Sequence, residues 1–156
     1  VWTISHGTWE GRPAVFQSGR LGGTAFDPKN HAVMANLDPE GKATMVFDPP
    51  VGYQWPLQAG KTWTTKHTVT MPATGRSMPL EVNWKVEALE DVTVPAGTFK
   101  AFKVVTTNNF GEVETRWTAP AAGIPTAKRL VARPASHPQG AGELEAVLLS
   151  QVPPAK

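Results

Sequence analysis

Apolar and polar positions alternate with a period of two along much of this chain, in short runs separated by turn-forming residues. Residues 84–89 (WKVEAL) set Trp84, Val86 and Ala88 on one side and Lys85 and Glu87 on the other, the pattern of a half-buried strand. Glu90-Asp91 interrupts the run, and Val92-Thr93-Val94 resumes it with β-branched residues. Pro95-Ala96-Gly97-Thr98 then reads as a turn, because proline fixes φ at the first corner and glycine accepts positive φ two residues on. Residues 99–107 (FKAFKVVTT) form the next strand, and Asn108-Asn109-Phe110-Gly111 supplies residues that take left-handed conformations cheaply. Residues 112–118 (EVETRWT) alternate again, with Val113, Thr115 and Trp117 opposite Glu112, Glu114 and Arg116. A three-stranded meander over 84–120 is the prediction.

The rest of the chain carries the same punctuation. Residues 1–5, 14–17, 24–26, 31–37 and 42–47 read as strands, and Asp38-Pro39-Glu40-Gly41 is the strongest hairpin signal among their turns. Residues 48–57, with consecutive prolines, read as an extended linker of polyproline geometry. The threonine-rich run 61–71 pairs with 80–89 across a loop at 72–79. Residues 126–133 and 143–152 supply the last strands; the latter has high helical propensity but is assigned as strand by its place in the pattern. About ten short strands with hairpin connections predict an all-β chain, one domain over 1–156. Its strongly curved antiparallel sheet forms a barrel or half-barrel, lipocalin-like or LolA/LolB-like, with a concave face.

The motif VTVPAGTF followed by K-A-F-K-V, a later W-x-x-P (Trp117 to Pro120) with Gly123 beyond it, and an upstream W-P-L-x-x-G-K-T-W (Trp55 to Trp63) resemble an uncharacterised family of exported bacterial β-proteins. Members are often lipoprotein-like, and the similarity covers roughly residues 49–149. The chain departs from the family pattern at Thr118, where an aromatic is common, and at Pro125, which interrupts a strand start. The resemblance implies a curved β-fold and a periplasmic or cell-envelope location, with an export segment that this chain, starting at Val1, does not carry. It brings no catalytic residues with it.

Composition narrows the functional classes. Fifteen basic against 13 acidic side chains leave a formal charge of +2, near balance rather than a basic patch, so nucleic acid is not an expected partner. With no cysteine there are no disulfides, thiolate metal sites or cysteine nucleophiles. No apolar run is long enough for a membrane-spanning helix.

Candidate chemistry is sparse. His6, His31, His67 and His137 show no metal-binding spacing, and no cofactor is expected. No G-x-S-x-G elbow surrounds a serine. The glycines of 19–23 lack the G-K-[ST] ending of a phosphate loop. Glu112 and Glu114, with Arg116 continuing their row, read as a solvated strand face, as do Glu143 and Glu145. Six tryptophans are the compositional anomaly: Trp63, Trp84 and Trp117 are expected to fill the core, while Trp2, Trp9 and Trp55 lie near turns where a cleft mouth would be. Together with His67, which shares a strand face with Trp63, these three form the candidate ligand-binding set. Three functions remain open: a non-enzymatic envelope domain holding an apolar or amphipathic small molecule or an envelope protein, an enzyme with a cavity site, and an assembly module that pairs through a sheet edge.

Overall fold

The computed structural model describes residues 2–136 and 141–151, with side chains over 3–136 and 141–148. It is all-β, with eleven strands in one antiparallel sheet in which neighbours in sequence are neighbours in space. The strands are β1 (Trp2–Trp9), β2 (Arg12–Gly19), β3 (Gly22–Phe26), β4 (Val33–Leu37), β5 (Ala43–Val51), β6 (Thr62–Met71), β7 (Arg76–Val94), β8 (Gly97–Asn108), β9 (Val113–Ala119), β10 (Ile124–Arg133) and β11 (Gly142–Gln151). A 3-10 turn, Pro120–Ala122, lies between β9 and β10. The chain divides into two compact units: Val1–Trp55 with His67–Pro79 and Leu149–Lys156, and Pro56–Lys66 with Leu80–Leu148.

In the first unit the turns at 10–11 and 38–41 are set by local chemistry. Between Trp9 and Arg12, Glu10 and Gly11 take φ of 47° and 77°, the two positive values of a turn whose twist matches its flanking strands. Between β4 and β5 the Asp38 carboxylate accepts the backbone N–H of Glu40 and of Lys42, both at 2.9 Å, fixing the predicted turn. Gly22 closes the β2–β3 hairpin at φ 123°, and a β-carbon there would lie 2.3 Å from the Leu37 carbonyl oxygen. The small buried residues Ala14, Ala25 and Ala35 pack with Met34 and Leu37, and Trp9, Phe16, Ala43 and Val46 lie against them. The first part of the predicted linker, residues 48–51, is instead the end of β5, which runs through Pro49 and Pro50 to Val51, with the Asp48–Pro49 peptide cis, while residues 52–57 lie outside the strands. Val33 pairs with Val51, so the strand continues past both prolines; a proline that faces away from its neighbour's acceptors costs the ladder nothing.

The second unit is built on β7, whose 19 residues absorb the predicted break at Glu90-Asp91. Leu80, Val82, Trp84 and Val86 are buried at every second position. A register shift between Val86 and Ala88 then changes which residues share a face. The β8–β9 turn repeats the device at Asp38: the Asn108 side-chain oxygen accepts the N–H of Phe110 at 3.0 Å and of Glu112 at 3.1 Å. Pro125 does not end a strand; it lies buried within β10, where pairing with β9 shifts register between Ile124 and Lys128, as a residue without an N–H requires.

Candidate ligand site

The ladders of the second unit place residues of one face in cross-strand rows. One row runs from Trp84 to Thr106, Glu114, Val131 and Leu144; the next from Val86 to Val104, Arg116, Arg129 and Ala146. Trp84, Val86, Val104, Val131 and Ala146 are all buried. Glu114, Arg116 and Arg129 therefore share the apolar face, with side chains only 15%, 14% and 22% exposed. This corrects the expectation of a solvated Glu row. The β9 alternation was read in the right phase but assigned to the wrong sides, because β8 has valine at both 104 and 105 and so does not mark which side is buried.

Glu114 is the centre of the cluster. Its Oε1 lies 2.6 Å from Arg116 Nη2 on the same strand, and its Oε2 accepts from Arg129 Nη2 at 3.0 Å across the ladder. Burial alone pushes the Glu114 carboxyl upward; the charges of Arg116 and Arg129, with their hydrogen bonds, more than reverse this and bring it down to about 2. The carboxylate is thus ionised at any physiological pH. Two guanidinium groups thus converge on one carboxylate. Arg116 and Arg129 are direct cross-strand partners, and Arg129 Nε is a buried donor with no acceptor among the described residues.

At the Trp84 end of the first row, Trp63 stacks on Trp84 with ring centres 5.3 Å apart and planes 8° from parallel. Trp84 Nε1 donates to Thr65 Oγ1 at 2.8 Å, and Lys61 Nζ lies 5.5 Å from the centre of the Trp63 ring. Trp63 Nε1, like Arg129 Nε, is buried without an acceptor among the described residues.

Trp117 faces the other way. It is 8% exposed, yet what covers it is Lys103 and Lys128, with Nζ atoms 5.7 and 5.3 Å from its ring centre, while its Nε1 donates to Glu90 at 2.8 Å. Of the expected core tryptophans, Trp63 and Trp84 line the apolar face and Trp117 is buried under lysine stems on the opposite one.

The sequence-derived set is distributed over the first unit. Trp2 opens β1, and its side chain lies outside the described residues, as does His137. Trp9 ends β1 and packs against the alanine-rich core. Trp55 donates from Nε1 to the Asn30 carbonyl at 2.9 Å and meets His31 and Tyr53 edge-on, at ring-centre distances of 6.4 and 5.5 Å. It thereby holds the 27–32 loop, in which His31 takes a positive φ of 59°. His67 is buried in β6, and its Nδ1–H donates to the Pro49 carbonyl at 2.7 Å. The Glu114 cluster was missed as a site. Its sequence signal was the E-x-R spacing, which places both groups on one face whichever way that face points.

Among the described residues no group of three or more His, Asp or Glu is placed to hold a metal ion. No helix among the described residues is long and apolar enough to cross a membrane. No protein family, curated protein or solved structure matches the chain.

Proposed function

We propose that the chain is a non-enzymatic β-domain that binds an apolar or amphipathic small molecule on the concave face of its sheet. In this reading the sheet curves into a barrel or half-barrel of lipocalin-like kind, and the protein works in the bacterial cell envelope. The resemblance of the VTVPAGTF and W-x-x-P segments to exported bacterial β-proteins supports the location. The observation that carries the function is the sheet face of the second unit. Its aliphatic rows and stacked Trp63–Trp84 pair offer contact to an apolar body, and beside them lie the charged side chains of Glu114, Arg116 and Arg129, each with part of its surface exposed. Aliphatic residues of similar volume would pack as well there, and the charged cluster suits the polar end of an amphipathic ligand.

Native mass spectrometry of protein purified without detergent, followed by solvent extraction, tests this reading. A discrete extra mass that disappears on denaturation is the expected result. A clean apo mass, with no binding when apolar and amphipathic compounds are added back, overturns it in favour of an envelope protein partner.

A further inference from the structure

We propose that the 27–32 loop and residues 52–55 of the first unit form a latch that opens on acidification, with the His31 ring as its switch. The latch is independent of what the sheet of the second unit binds.

Two segments are held together by short contacts. Within the loop, Asp27 N–H donates to the Ala32 carbonyl at 2.9 Å and His31 N–H to the Asp27 carbonyl at 2.8 Å, and the Asn30 side-chain oxygen accepts the N–H of Ala32 at 2.9 Å. Facing it, Gly52 comes so close that a β-carbon there would lie 2.7 Å from that of Ala32. Trp55 ties the two segments together, through its Nε1–H on the Asn30 carbonyl and its ring edge-on to His31. His31 itself is only 7% exposed, and its φ of 59° lies in the region that favours glycine. A larger residue stays there only while its surroundings hold it.

The ring supplies the switch. Its Nδ1 is buried without a partner among the described residues. A neutral imidazole can leave Nδ1 bare, but an imidazolium carries an N–H on both nitrogens, and this one then lacks an acceptor. The charge finds little compensation either. Asp27 is the charged group that acts on the ring, and burial outweighs it. Lys29, in the same loop, is exposed and cationic; residues 52–55 (GYQW), β3 and β4 bring no charged side chain, and Asp48 of β5 is exposed. Protonation is therefore accommodated by the ring turning out to water. That removes the edge contact of Trp55 and the constraint that keeps φ positive, so the loop loses its hold on residues 52–55. Ala32 and Tyr53, 5% and 9% exposed while the latch is shut, become accessible.

The test is fluorine NMR of the intact chain labelled with 5-fluorotryptophan, titrated from pH 7.5 to 5, with the Trp55 signal assigned by its loss in Trp55→Phe. That signal is expected to move toward its position in the denatured chain with a midpoint below the ordinary histidine value of 6.5, while the signals of Trp63 and Trp84 stay in place. Asp27→Asn removes the favourable charge but keeps an oxygen for the Lys29 N–H, and is expected to lower the midpoint. His31→Gln is expected to hold the signal at its pH 7.5 position throughout. A stationary Trp55 signal in the wild-type protein overturns the latch, as does movement of all tryptophan signals together. Movement that persists in His31→Gln, or a midpoint unchanged in Asp27→Asn, overturns His31 as its switch. The wild-type titration and Asp27→Asn decide the matter even if His31→Gln fails to fold.

Discussion

Glu114 shows how much one side chain depends on two neighbours. Its carboxyl titrates near 2 in the folded chain against 4.5 for the ordinary group, so the folded state prefers it ionised. The associated stability is complete above about pH 4.5 and is lost as pH falls from there through about 2; at 1.36 kcal/mol per unit it amounts to about 3 kcal/mol. Glu114→Gln is therefore expected to lower the urea-unfolding free energy by about 2–4 kcal/mol at pH 7, and by much less at pH 3. An equal loss at both pH values would mean that the carboxylate charge is not what stabilises the site. His31 has the opposite problem. Burial lowers its pKa, and Asp27 only partly offsets that, so the ring is held neutral where the unfolded chain takes up a proton. Its contribution is present above the ordinary value of 6.5 and is lost as pH drops below it. His31→Gln should flatten the decline in melting temperature between pH 7.5 and 5; an unchanged decline would place the proton uptake elsewhere.

At the scale of elements, the turns were the most legible part of the sequence. Asp38 and Asn108 each fold a side-chain oxygen back onto two downstream N–H groups, a property of the residue type itself, so both hairpins could be read without knowing anything distant. Gly22 is a different case, because its requirement is tertiary. Gly22→Ala would drive a methyl into the Leu37 carbonyl at an already left-handed φ, and a loss of about 2 kcal/mol or more is expected by chemical denaturation. A neutral result would mean that β3 and β4 can separate at no cost. What could not be read were the decisions made by neighbouring strands. The side of the sheet on which Glu114 and Arg116 lie is set by pairing with Val104 and Thr106, and Val105 and Thr107 offer an almost identical alternative one residue away. Likewise, Pro49 and Pro50 look like a linker until β4 and β6 are seen to supply partners for β5. The candidate site was hidden for the same reason: its three charged residues come from two strands, and the pairing of Arg116 with Arg129 spans a loop whose length says nothing about register.

For the molecule as a whole, the near-neutral formal charge of +2 says nothing of how the charged side chains are arranged on the sheet. Lys103 and Lys128 cover Trp117 on one side of the second unit's sheet, while Arg116 and Arg129 answer Glu114 on the other. Composition can report the sum but not the sorting. The division of the chain has a consequence in time. β5 finds its partner at Asp48–Thr68, Phe47–Val69 and Val46–Thr70, so a chain emerging from a ribosome exposes the edge of β5 until some twenty further residues appear. At ordinary rates of synthesis that is roughly one to four seconds. During this interval Met45, Val46 and Phe47 stand at an open strand edge able to recruit another nascent chain. The prolines at 49 and 50 immediately beyond them lack the donors that such recruitment needs. The residues that made β5 look unlike a strand are thus placed to keep it solitary until β6 arrives.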